Sequence, residues 1–312
     1  MVDYVQGEAG LGALIGQEVT PGIEAGTILK ELGLLQNVTG IQIGNEKREG
    51  NTIGSQDTVY KKHGRGIFAW NAEFMVQDFQ FLFPVFGGHA QGGGPPFTHT
   101  LTQVNKLPSY SVELFNEDLG ISRKILGNKV NQMKLELVEG EEVMASLDWI
   151  GMSGAKDVSP GTPSELTGDP WMYDECTIFS VDGQEKVDAT LDMTWTYARN
   201  VEARGTLGQK NPRFVKEGKR THLIEAELYS DDVEILDIVS GFTEFATVFK
   251  LVRQAAADEM TITFPQCKIF NHDNQLSGDD VFKEKLVIEP FADSSQVPIT
   301  AIVIDAIDDY DD

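Results

Sequence analysis

The sequence predicts a mainly β protein made of two copies of one small domain, each with a short helix beside its sheet. Three observations carry this expectation. Short runs of β-branched and aromatic residues alternate with polar ones and are separated by Gly, Pro, Asn and Asp, whereas a parallel α/β sheet would need regular helices of about 10–15 residues. Gly64 to Gly87, GRGIFAWNAEFMVQDFQFLFPVFG, has a diverged echo at Gly218 to Gly241, GKRTHLIEAELYSDDVEILDIVSG, at a constant offset of 154 residues. Gly64, Ala72, Glu73, Asp78, Leu82, Val85 and Gly87 coincide with Gly218, Ala226, Glu227, Asp232, Leu236, Val239 and Gly241. So long a period fits two domains, because solenoid units run to about 20–50 residues and come in larger numbers. Finally, 312 residues with 41% hydrophobic content can fill two cores of about 140 residues each.

In chain order, residues 1–33 are punctuated by glycines and Pro21. Leu11, Leu14, Ile15, Ile28, Leu29 and Leu32 fit short helical turns, in either a free tail or an arm packed on a neighbouring subunit. The first domain is expected over 34–150. It opens with a strand over 34–43, followed by a polar, turn-rich loop at 44–65 carrying Lys47, Arg48, Lys61, Lys62 and Arg65. Phe68, Trp70, Ala72 and Phe74 alternate with polar or small residues as a half-buried strand does. Asp78 stands where a carboxylate meets the free N–H groups of a helix start. Leu82, Val85 and Phe86 follow at helical spacing, with Gly87 as a left-handed stop. A long excursion is expected at 88–109, where Gly92 to Pro96 argue against regular structure.

Tyr110, Val112 and Leu114 share one face of a strand that turns at Glu117, Asp118 and Gly120. A hairpin then places Met133, Leu135 and Leu137 opposite Val143, Ala145, Leu147 and Trp149, with Lys134 and Glu136 on the other face. Residues 151–170 read as a linker and 171–304 as the second domain. There Val187 to Tyr197 alternates strictly, a loop carries Arg199, Arg204, Lys210 and Arg213, and Leu223 to Tyr229 repeats the rhythm of 68–74. Phe245, Val248, Phe249 and Val252 predict a helix over 242–257. Met260, Ile262 and Phe264 predict a strand stopped by Pro265 and followed by a loop. Closing strands are expected at 281–291 and 298–304, with an acidic tail at 305–312.

A net charge of −24 and a pI near 4.5 argue against a protein that grips phosphate backbones, since such grip is built from Lys and Arg patches. Two readings of the acids remain: solubility, or a lining that repels a passing duplex and leaves it free to move. Cys176 and Cys267 are too few and too far apart for a disulfide framework or a structural metal site. The first residues lack a basic and apolar leader, and no run approaches 18 apolar residues, so neither an export signal nor a membrane span is expected. No HExxH, P-loop or calcium-loop pattern occurs, and GMSG at 151–154 leads into a polar segment instead of a helix. His89 and His99 flank a glycine loop and can meet across it, a weak metal signal on its own. An enzyme is not expected, nor a cofactor.

SRKILGNKVNQMKLELVEGEEVMASLDWIGMSG, residues 122–154, resembles a hairpin of tail tube proteins from long, flexible-tailed viruses of bacteria and archaea. Gly127, Val130, Asn131, Met133, Ala145, Leu147, Asp148 and Gly151 occupy the motif positions. MTITFPQCKI and DDVFKEKLVIEPF are similar to later strands of the same family, so the resemblance spans roughly residues 34–304. It implies a β-sandwich or open-barrel domain with a flanking helix. It also implies three duplicated chains closing into a pseudo-hexameric ring, rings stacking head-to-tail, and a non-contractile tube that encloses a tape measure protein and passes double-stranded DNA. Tail terminator and tail-tip or baseplate proteins would be its other partners, and the chain would be made in the host cytoplasm. On that reading the lumen acids include Glu136, Asp188, Asp192 and Glu284, with Lys134 or Lys283 equally able to face inward, and the basic loops contact neighbouring subunits. The rival is a soluble β-sandwich module binding carbohydrate or protein, which needs a concave aromatic site. A glycoside hydrolase would need two carboxylates across a cleft.

Overall fold

The computed structural model describes residues 11–25, 30–50, 58–116, 121–157, 166, 168–229, 234–253, 257–275, 283–292 and 299–307. It is mainly β. The first half contains β1 (Leu11–Gln17), β2 (Lys30–Glu31), β3 (Leu34–Gly50), β4 (Tyr60–Met75), α1 (Leu82–Phe86), β5 (Gly87–Gly92), β6 (Phe97–Gln103), β7 (Tyr110–Asn116), β8 (Ile121–Val138), β9 (Met144–Ile150) and β10 (Ser153–Asp157). The second contains β11 (Cys176–Val181), β12 (Gln184–Glu185), β13 (Thr190–Ala198), β14 (Glu202–Arg204), β15 (Phe214–Lys216), β16 (Thr221–Tyr229), α2 (Glu234–Gly241), β17 (Phe245–Arg253), β18 (Asp258–Gln275), β19 (Lys283–Pro290) and β20 (Thr300–Asp305).

Seven antiparallel pairings of the first half have counterparts in the second. β1–β2, β1–β7, β3–β4, β4–β9, β7–β8, β8–β9 and β8–β10 correspond to β11–β12, β11–β17, β13–β16, β16–β19, β17–β18, β18–β19 and β18–β20. Irregularities recur as well. The bulge between Val130 and Gln132 opposite β9 matches that between Ile269 and Asn271 opposite β19. The offset read from the sequence also appears in the register: Gln42↔Ala69 and Ile43↔Phe68 correspond to Thr196↔Leu223 and Tyr197↔His222. Among the described residues two hairpins lack counterparts, β5–β6 and β14–β15, and two pairings join the halves, β8–β13 and β6–β20.

The result is one sheet of eight strands crossing both halves, in the order β3-β4-β9-β8-β13-β16-β19-β18. Alternation decides its inner face: Phe68, Trp70, Ala72, Phe74, Met133, Leu135, Leu147, Trp149, Trp195, Ile224, Leu286 and Ile288 are all buried. β8 and β18 are long because each bends from this sheet into a second layer that covers the core. Ser122–Leu126 pairs with β10 and Asp258–Phe264 with β17, while the later residues of both strands stay in the eight-stranded sheet. α1 is short, as Pro84 requires. It ends on Gly87, whose φ of 82° and N–H donated to the Phe83 carbonyl close the turn.

Several expectations are corrected. Leu11–Gln17 is a strand paired with β7, not a helical turn, and Gly12 is needed there because a Cβ would run into the Phe115 ring. The segment over 44–65 is a continuation of β3 and β4 to Gly50 and Tyr60. The excursion at 88–109 is largely the β5–β6 hairpin, whose edge is satisfied by β20. Ser153–Asp157, within the expected linker, pairs with β8. The helix expected over 242–257 is strand β17: Phe245, Thr247, Phe249 and Leu251 are its buried side, clamped between β11 and β18. β18 passes through Pro265, which sits in the bulge between the Phe264 and Cys267 pairs, where no ladder donor is required. After α2 the left-handed residue is Phe242, φ 50°, whereas Gly241, the position equivalent to Gly87, is not left-handed. The turn at Glu117, Asp118 and Gly120, the residue Asp232, and the acids Asp308, Asp309, Asp311 and Asp312 lie outside the described residues.

Candidate functional site: the polar sheet face and its open edges

The outer face of the eight-stranded sheet is set by the same alternation that fills the core. Glu73, Ser146, Lys134 and Thr196 form one cross-strand row, and Glu136, Thr194, Glu225, Val287 and Asn271 another. A third runs Asp192, Glu227, Lys285 and Asp273. Carboxylates dominate, and the lysines among them are paired: Lys134 to Glu136 at 2.6 Å, Lys283 to Glu227 at 3.0 Å and Lys285 to Glu225 at 3.5 Å. Burial, with the adjacent Glu227 charge adding to it, raises the Asp192 carboxyl above its usual range.

Glu136, Asp192, Lys134 and Lys283 therefore share this face. Asp188 does not, because β13 starts only at Thr190 and Asp188 stands exposed in a 3₁₀ turn, Val187–Ala189, beyond the sheet end. Glu284 is also corrected: it is 2% exposed on the core side, in line with Leu286 and Ile288, and meets His272 Nε2 at 3.2 Å. The parity of Glu284, Leu286 and Ile288 carried that signal in the sequence.

The sheet ends in two open edges. Among the described residues β3 pairs only with β4, and the Cys267–Gln275 part of β18 pairs with β19 and, at Cys267, with β17. Past Gly44 and Gly66 the β3–β4 hairpin runs on, largely exposed, for about 20 Å of strand. Lys47, Arg48, Lys61 and Lys62 lie on it. Lys47 meets Glu49, Arg48 meets Glu46 at 3.4 Å, and Lys62 lies 5.9 Å over the Tyr60 ring. Arg65, at the root, donates to the Ala203 carbonyl at 2.7 Å and meets Glu46 at 3.2 Å. Beside it stands the β14–β15 hairpin carrying Arg204, Lys210 and Arg213, and the Gly66 N–H donates to the Lys210 carbonyl at 2.8 Å. Arg199 is set apart: it is 2% exposed and donates to the Val104 and Asn105 carbonyls at 2.8 and 2.7 Å within its own chain.

His89 and His99 meet across the β5–β6 hairpin, Nε2 to Nδ1 at 2.9 Å, with His99 Nε2 2.8 Å from the Ile307 carbonyl. That carbonyl only accepts, so His99 donates to it from Nε2, which also lies 3.4 Å from Asp305 Oδ1. No cluster of three or more potential metal ligands occurs among the described residues. A cavity of about 810 Å³ is lined by Asp78, Phe79, Trp171, Arg253 and Asp305 among others. It is a poor sugar platform: Trp171 is 1% exposed and the Arg253 guanidinium covers its ring at 4.3 Å.

Burial pushes Asp78 up to about 7 there, against the bonds it accepts from the Gln80 N–H and side-chain amide. A raised carboxyl contributes stability fully below its ordinary value of 3.8 and loses it as pH rises through 7. Asp78→Asn is therefore expected to stabilise the fold above pH 7, by more than about 1 kcal/mol at pH 8, with Gln80 turning its unpartnered Oε1 toward the new amide. Denaturant unfolding of both forms at pH 5 and pH 8 checks this; a gain that fails to grow with pH refutes it.

A mainly β chain with an acidic open sheet face, a projecting hairpin and, among the described residues, two unpaired sheet edges has the form of a β protein that can associate through those edges. A family model described as phage tail tube protein matches residues 3–299. The chain belongs to that family, and is a structural component of the virion tail that assembles with itself. No curated protein matches the sequence. No helix among the described residues is long and apolar enough to cross a membrane.

Proposed function

We propose that the chain is two fused copies of one tail-tube domain, with bounds near Leu11–Asp157 and Cys176–Asp305, and that three chains close into a pseudo-sixfold ring. Rings stack head-to-tail into a non-contractile tube around a tape measure protein, between a tail terminator and the tail tip or baseplate. The tube later conducts double-stranded DNA into the host. The observation that carries this reading is the eight-stranded sheet running through both halves with its core on one side only. Closed on itself through other chains, such a sheet loses its edges and becomes a wall. Its acidic open face, with Glu136 and Asp192, would then repel phosphates and let a duplex slide.

Electron microscopy of the purified chain across a concentration series tests the reading. Hollow threefold rings or tubes are expected, and a compact monomer at every concentration, with or without a tail-tip initiator, would sink it. The projecting hairpin is assigned to contacts between rings. The pairs of Lys47, Arg48 and Lys61 on the hairpin are exposed and worth at most about 1 kcal/mol each, so they can be exchanged for acids of a neighbour. Reversing Lys47, Arg48, Lys61 and Lys62 to Glu is expected to leave rings intact and raise the concentration needed for tubes by about tenfold or more. Sedimentation and microscopy separate the two; unaltered tube formation would remove the hairpin from the contact.

A further inference from the structure

Within the eight-stranded sheet the halves meet at the β8–β13 pairing, and the strands equivalent to β8 and β13 stand open at the two ends of the same sheet. Where β8 meets β13, the pairs are Met133↔Tyr197, Lys134↔Thr196 and Gln132↔Ala198. Matching bulges make Val130 correspond to Ile269, and hence Gln132, Met133 and Lys134 to Asn271, His272 and Asp273. Matching β3–β4 and β13–β16 registers make Thr196, Tyr197 and Ala198 correspond to Gln42, Ile43 and Gly44. Both sets lie on the open edges of β18 and β3.

We infer that β18 of one chain takes β3 of a second copy in the register that β8 takes β13, pairing His272 with Ile43, Asp273 with Gln42 and Asn271 with Gly44. This rests on the ring reading and adds to it the residues of the seam. The bulged residue supplies an independent mark. In the internal joint it is Asn131, whose carbonyl and side-chain oxygen accept the Arg199 and Val201 N–H groups at 2.7 and 3.0 Å. Its counterpart is Phe270, 66% exposed, a large apolar side chain with water where the internal joint has an incoming strand. Ile43 on the other edge is 37% exposed. A second copy of this chain covers both, and Phe270 is the anchor of that contact. The seam also differs from the joint in its core: His272 and Glu284 occupy the places of Met133 and Ala145, so the interchain contact is the more polar of the two.

Cysteine pairs read the register directly, because a disulfide needs Cα atoms within about 7 Å. Burial pushes the native Cys176 and Cys267 thiols up to about 12 and about 11, so they stay unreactive while exposed thiols oxidise. In the Gln42→Cys/Asp273→Cys variant, mild oxidation is expected to give covalent trimers. Gln42→Cys/Asn271→Cys, two residues out of step, is expected to give none. Rings or tubes under the microscope with cross-linking in the second variant, or in neither, overturn the register and leave the ring reading standing. Monomers throughout overturn both. Phe270→Ser is expected to raise the concentration needed for rings by about tenfold or more with the thermal midpoint of the unassembled chain unchanged; assembly at the wild-type concentration would remove Phe270 as the anchor.

Discussion

Trp149→Ala is expected to destabilise the unassembled chain by about 3–5 kcal/mol, among the largest losses any single substitution should cause here. Trp149 is 1% exposed near the end of β9, flanked by Trp70 of β4 on one side and Val130 of β8 on the other. Its ring stacks on Trp70 at 5.5 Å and 6° and meets Tyr110 edge-on at 5.9 Å. Truncation would leave a cavity that three paired strands cannot collapse to fill, because their ladders fix the spacing of the backbone. The indole Nε1 has no partner among the described residues, so the contribution is one of packing. Trp149→Phe should therefore cost much less than alanine: it loses area but also removes a buried orphan donor. Urea unfolding would show the order, with a thermal midpoint on the order of 10 °C lower for the alanine variant. Equal losses for Ala and Phe would mean that the hydrogen-bonding group, and not the ring, matters.

Trp149 was legible in the sequence because the hairpin around it alternates cleanly, and so was Phe68 to Phe74. Legibility failed where a second physical demand masked the period. In β17 the buried side is Phe245, Thr247, Phe249, Leu251; the buried threonine hid the alternation, while Phe245, Val248, Phe249 and Val252 matched a helix equally well. Pairing with β11 and β18 chose between them, and that is non-local information. In β1 and β5 the glycines imitated loop composition. In β1 the true cause at Gly12 is the Phe115 ring pressed against the backbone. The face of the sheet was readable for Glu136 and Asp192, whose neighbours alternate. It was misjudged for Glu284, where a charged residue occupies a core parity next to a histidine twelve residues earlier in the chain. The joint between the halves left no local trace at all, because strand edges meet through backbone groups that every sequence carries.

That joint is also where the second large effect is expected. Lys129, at the bend of β8, reaches Glu217 before β16, Nζ to Oε1 at 2.5 Å, and their side chains are 6% and 14% exposed. The same carboxylate oxygen accepts the Leu107 N–H at 3.0 Å. Burial alone would raise the Glu217 carboxyl, but the hydrogen bonds and charge of Lys129, aided by backbone N–H groups, outweigh it and hold the pKa below the ordinary 4.5. A depressed carboxylate contributes its stability fully above that ordinary value and loses it as pH falls through the lower folded value. Lys129→Met would strand a mostly buried carboxylate, at a cost near 3 kcal/mol at pH 7 (~3–5 is usual for removing one partner of a buried pair, and the surviving Leu107 bond keeps it at the low end). The acid side carries the sharper test. As pH falls below the ordinary 4.5 the wild type should lose stability more steeply than Lys129→Met, which lacks the ammonium that holds the Glu217 carboxyl down. Adding Glu217→Gln to Lys129→Met should recover much of the loss at pH 7, because the stranded charge is then gone. If the double variant is no more stable than Lys129→Met, the pair acts through packing of the lysine stem and not through its charge.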